Sequence, residues 1–199
     1  QRMLVTAKLL ILGSTLRAGA RAVATIASAK SEGVLKVTTT TDSAEAEAKL
    51  LSAARGLADP SRPILREQIH SYYWWEGEVQ SDAELRLSFE TMMPLDDVIT
   101  AISLAHNYDV PMITADSDDM TLVHWKGLIP ASDADGAQLA SRLAASRLVA
   151  CAQLAPDGSL AVKSVTAAKS AVAEMVGTSV RWIPIKGNTP YLDWVTTEV

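Results

Sequence analysis

A single cysteine, Cys151, rules out an internal disulfide framework and fits a reducing interior better than a secreted module. Clustered lysine and arginine are missing as well. The net charge is −5 with a pI near 5.2, which argues against a nucleic-acid surface. There is no Gly-rich phosphate loop, no Ser-centred nucleophile elbow and no metalloprotease helix. The paired acids Asp96-Asp97 and Asp118-Asp119 suit helix capping and a solvated linker, so the chain is expected not to be an enzyme. The apolar run Leu9-Leu10-Ile11-Leu12 is far too short to span a bilayer.

Acidic residues are absent before Glu32, while Arg2, Lys8, Arg17, Arg21 and Lys30 are present among many Ala, Leu, Ser and Thr. That is the composition of an organelle-targeting segment, with the mitochondrion as the expected address and plastid or cytoplasm as alternatives. A second reading makes residues 1–33 a retained helical arm that docks on a partner or lies at a membrane surface.

What is abundant is hydrophobic residue, 48% of 199, enough for real cores. Strict alternation marks one strand: Leu65, Glu67, Ile69, Ser71, Tyr73 and Trp75 face one way, and Arg66, Gln68, His70, Tyr72, Trp74 and Glu76 the other. A turn is expected at Gln80-Ser81-Asp82-Ala83, after which Leu85, Leu87 and Phe89 alternate with polar neighbours, giving a long hairpin with one side buried. Pro94, then Asp96 and Asp97, open a helix whose stripe is Leu95, Val98, Ile99 and Ile102, ending near His106-Asn107. A strand over 34–40 and a helix capped within Thr41-Asp42-Ser43 precede the hairpin. The order through Ala115 is a split βαβ, ferredoxin-like unit.

Asp116-Ser117-Asp118-Asp119 is the best linker, and the pattern then restarts. A strand over 121–129, a cap at Ser132-Asp133-Ala134-Asp135, a helix, strands over 148–154 and 160–165, a helix over 167–176 closed by Gly177 and a strand over 179–185 repeat the order. The fold class is therefore α+β, two tandem βαββαβ units: 34–115, a linker at 116–120, and 121–199 with a C-terminal tail.

Certain stretches carry a resemblance. Tyr73-Trp74-Trp75-Glu76-Gly77-Glu78, the strand over 84–91 and His106-Asn107-Tyr108-Asp109-Val110-Pro111 resemble the second half of a CutA-family protein. Arg147 through Gln153 is similar to the segment leading into that family's second strand, and Gly187-Asn188-Thr189-Pro190-Tyr191-Leu192-Asp193-Trp194-Val195 resembles its C-terminal signature. The likeness covers about 34–199, as two degenerate CutA-like copies. The first lacks the cysteine, having Pro63-Ile64-Leu65 in its place, and lacks a tail. The second has Cys151 and the tail, but a trimmed hairpin, and Gly177-Thr178-Ser179-Val180 replaces the His-containing turn. Each copy keeps what the other lost, as an asymmetric pair replacing members of a symmetric ring would.

The resemblance implies a compact trimer, or here a pseudo-trimer, with intertwined hairpins, tolerance of divalent cations and, in some members, copper binding. Neither His106 nor Cys151 has a close ligand spacing such as His-x-x-x-His, yet both are the candidate metal residues; otherwise no cofactor is expected. His106 at a helix end also suits a structural cation, Cys151 a small buried hydrophobe, and His70 and His124 solvent or sheet positions. Tyr72, Tyr73, Trp74 and Trp75 point to both faces of one strand, so one face can serve the core and the other needs a partner. With Tyr191 and Trp194 they are the candidate interface. The function expected is a non-catalytic assembly protein, an accessory subunit of a larger organellar complex; the alternative is an oligomeric divalent-cation (copper) binding protein.

Overall fold

The computed structural model describes residues 33–130 and 135–199. The expected arm, and the Ser132-Asp133-Ala134 part of the second cap, lie outside them. The β-branched run of Leu35–Thr41 forms β1. Ser43 caps α1 (Ala44–Leu57), its hydroxyl accepting from the Ala46 N–H at 3.3 Å, and Ala46, Leu50 and Ala54 at helical spacing are its buried face. β2 (Leu65–Trp75) and β3 (Glu78–Thr91) make the long hairpin, followed by α2 (Leu95–Ala105) and β4 (Ile113–Asp116).

The hairpin turn is Glu76-Gly77, not Gln80-Ser81-Asp82-Ala83, which lies inside β3 opposite His70 to Tyr73. Glu76 and Gly77 have φ of 51° and 91°, and two left-handed residues in sequence are what a two-residue hairpin requires. Gly77→Ala is expected to cost about 1 kcal/mol by urea denaturation, since a Cβ is strained at that φ even though nothing crowds it. Glu76→Gly should be neutral or mildly stabilising.

The second half runs β5 (His124–Ile129), α3 (Gly136–Ala145), β6 (Cys151–Leu154), β7 (Leu160–Val165), a 3-10 turn, α4 (Lys169–Val176), β8 (Arg181–Gly187) and α5 (Thr189–Glu198). Asp135 caps α3, accepting from Ala137 and Gln138 N–H groups, and Gly177 at φ 70° closes α4. Strands β5 and β6 begin later than expected, and β8 is displaced two residues onward. Asp116, expected in a linker, ends β4 and is paired with Ile185. The tail is a helix, opened by Pro190 in its first turn.

In space the strands close into one antiparallel barrel, β1-β3-β2-β6-β7-β5-β8-β4. The first four occur in the order 4-1-3-2 and the last four in the equivalent order 8-5-7-6. Two seams join the halves: His70–Tyr73 of β2 on β6, and Thr114–Asp116 of β4 on β8. The two halves thereby share a single closed sheet. An exposed sheet edge is a row of unpaired amides, and each half covers the other's edges.

Helices pack on the outside. Val37, Leu50, Leu87, Phe89, Val98 and Ile102 form the core beneath α1 and α2. Ile129, Leu143, Val162 and Val172 form the one beneath α3 and α4. A smaller cluster, Met112, Ala150, Tyr191 and Val195, lies beneath α5. The alternate positions of every strand turn inward, and those are mostly polar. One side of the hairpin faces helices and the other faces the lumen.

Candidate functional site

The barrel interior divides into two chemically opposite regions, with Gln153 of β6 lining both.

At the α5 end is a small acidic cup. Glu84 of β3 accepts from Tyr108 Oη at 3.0 Å and from Ser71 Oγ, and Asp82 accepts from Tyr73 Oη. Covering of the Glu84 carboxyl raises its pKa; hydroxyl donors pull it back and neighbouring Asp82 pushes the same way as burial. Burial, reinforced by these carboxylates, drives the Tyr73 and Tyr108 phenols upward, so both remain protonated donors. Cys151 Sγ lies 3.7 Å from Tyr191 Oη, and burial pushes its thiol up, which favours the neutral thiol. Two polar atoms here have no hydrogen-bond partner among the described residues, Trp194 Nε1 and Gln153 Oε1.

His106 stands outside the cup, in a cleft with Asp42, Ser43 and Glu45. Its Nε2–H donates to Thr40 O at 2.8 Å, and Nδ1 accepts from the Tyr108 N–H at 3.0 Å. Burial holds its pKa down at about 4. The helix-end cation expected from sequence is therefore a neutral ring whose two nitrogens are both engaged.

At the other end is a cavity of about 540 Å³. Lys36, Arg86, Lys126, Lys163 and Arg181 line it. Arg86 pairs with Glu67, and Lys126 with Asp116. Lys163 is 1% exposed, and burial lowers its pKa to about 8. Sequence reasoning missed this set. The available signal was a lone lysine in each of two apolar strands, Trp125-Lys126-Gly127 and Val162-Lys163-Ser164.

The expected interface residues are placed as follows. Tyr72 packs on the core of the second half; Tyr73 and Trp194 line the cup; Tyr191 is buried beneath α5. Within the chain, Tyr72 thus meets the core beneath α3 and α4 on one face of the ribbon and Tyr73 meets the cup on the other, while β6 pairs with the strand's edge. Trp74 and Trp75 extend past the seam and are half-buried. His124 meets Thr196 Oγ1 at 2.9 Å, and His70 is exposed. The structure does not bring His106 and Cys151 together. Among the described residues, no three His, Cys, Asp or Glu side chains are placed to hold a metal ion.

A model of the family described as CutA1 divalent ion tolerance protein matches residues 34–121. The rice protein "Protein CutA 1, chloroplastic" is 48% identical over 48 residues, 24% of this chain and 27% of its own length, so the match spans about a quarter of that relative. The divalent-cation tolerance protein CutA of Pyrococcus horikoshii is 36% identical over 90 residues, 44% of this chain and 84% of its own. Among solved structures, CutA1 from Oryza sativa is 33% identical, covering 41% of this chain and 76% of that one, with a TM-score of 0.37.

Proposed function

We propose, because this chain belongs to the CutA family of divalent-cation tolerance proteins, that it serves cation tolerance as a non-catalytic binding protein without a resident metal centre. Its halves are degenerate copies of one βαββαβ unit, together replacing an assembly of separate chains. The observation that carries this is the pair of seams, β2–β6 and β4–β8, at which each half satisfies the other's sheet edges. The repeated strand order 4-1-3-2 and 8-5-7-6 supports the copy reading. The chloroplastic rice relative supports the plastid over the mitochondrion as the address.

The test is growth of a copper-sensitive host expressing the chain. Tolerance is expected to rise, and to rise equally with Cys151→Ala and His106→Gln at matched protein level. No gain would refute the role; loss in either variant would restore a copper centre at that residue.

One observation favours a protein partner in addition. Trp74 and Trp75 lie beyond the reach of β6 and are only half covered, and paired indoles are typical interface anchors. Sizing the native protein without denaturant decides this: co-migration with a large complex supports an accessory subunit, and a free single chain counts against it.

A further inference from the structure

We propose that the barrel lumen binds a small, multiply charged oxyanion, received at the mouth by Lys36 and Arg181 and held at depth by Arg86 and Lys163. This stands apart from the tolerance reading and does not depend on it.

The charge count carries the argument. Five cationic side chains line one cavity, and among the described residues the carboxylates paired with them are Glu67 and Asp116. The chain as a whole is −5, so the cavity is positive against the general trend of the protein. Lys163 is the decisive residue. It comes from the middle of β7, is almost wholly enclosed, and its ammonium has no hydrogen bond or ion pair among the described residues. Burying an ammonium without a partner is costly, and crowding it with Lys126 and Arg86 adds repulsion, which also lowers its pKa. An anion in the lumen supplies the missing partner.

Shape agrees with charge. A volume of about 540 Å³ suits a small metabolite, and it lies within the usual range for ligand pockets. Thr38 and Ser88, 3.2 Å apart, add hydroxyl donors on one wall, while Leu128 and Leu160 provide an apolar wall. The α5 end is occupied by the Tyr191 and Val195 cluster, so ligand enters from the Lys36 and Arg181 side. Arg86 already has one carboxylate partner and presents a guanidinium suited to phosphate or carboxylate.

Calorimetric titration of the full chain with inorganic pyrophosphate, and separately with citrate, at fixed ionic strength tests this, with thermal melts alongside. Saturable binding at one ligand per chain and a higher melting temperature are expected for at least one probe. Pyrophosphate alone would assign a phosphate ligand, and both probes a general oxyanion site. Lys163→Met should weaken binding about tenfold or more. Arg181→Glu, at an exposed position of β8, should do likewise with an unchanged circular dichroism spectrum. If Lys163→Met fails to fold, the Arg181 variant alone decides. No saturable binding of either probe to folded protein, or undiminished affinity in the folded variants, overturns the proposal.

Discussion

Replacing Asn188 by alanine is expected to destabilise the protein by about 3 kcal/mol, because one buried amide joins two stretches of backbone from opposite halves. Its Oδ1 accepts from the Ile113 N–H at 3.1 Å, and its Nδ2 donates to Pro111 O at 2.9 Å. Asn188 is 6% exposed, and Pro111 and Ile113 are buried as well, so neither orphaned group can turn to water. Alanine removes both bonds and leaves a donor and an acceptor desolvated. Asn188→Asp separates the two contacts: a carboxylate still accepts from Ile113 but places negative charge against the Pro111 carbonyl, so it should be no better than alanine. Urea denaturation with an unchanged m-value is the measurement. A loss under about 1 kcal/mol in both variants would show that the amide is not the clasp of this seam.

The neighbouring residue reinforces the point. Gly187 stands opposite Thr114 in β4–β8, and a Cβ placed on it would meet the Ile113 carbonyl oxygen inside contact distance. The Gly-Asn pair of the tail signature is thus explained by backbone approach and amide satisfaction at the junction of the halves. Chemistry at a metal is not needed to account for it.

That junction shows where legibility ended. The alternation of β2 placed every side chain on its correct face, and the caps of α1 and α2 were readable within a residue or two, because local periodicity and capping are properties of short segments. The turn was misplaced because Ser81 and Asp82 look like turn residues. In the folded chain Asp82 receives Tyr73 Oη, and Gly77 takes the positive φ. The seams could not be read, since pairing between distant strands depends on register and on which edges are left over. Lys126 and Lys163 were missed for the same reason. On an open sheet a lone inward lysine faces solvent; only closure of the barrel turns that face into an enclosed cavity.

Acidification from pH 6.5 to 4 is expected to lower the stability of the wild type by about 2–3 kcal/mol relative to His106→Gln. The His106 ring is covered, it donates from Nε2 to Thr40 O, and Nδ1 already receives the Tyr108 N–H. A second proton would have to sit on Nδ1, pointing at that N–H, so burial and geometry oppose the charged form even though Asp42 favours it. Its folded pKa of about 4 lies below the ordinary 6.5. Between those values the unfolded chain takes up a proton that the folded chain refuses. Stability from this residue is therefore complete above pH 6.5 and drains away as pH falls toward 4. Glu84 acts with the opposite sign: its raised pKa lets the folded state bind a proton earlier, so acid favours folding at that position. Comparing wild type with His106→Gln at each pH cancels Glu84 and isolates the imidazole. Urea midpoints across the range give the curve, and the histidine ring shifts in NMR give the folded pKa directly. A ring that titrates near 6.5 in the native state would mean that the Tyr108 amide does not hold Nδ1, and with it the account of the His106 turn as a neutral clamp between α2 and β1 would fail.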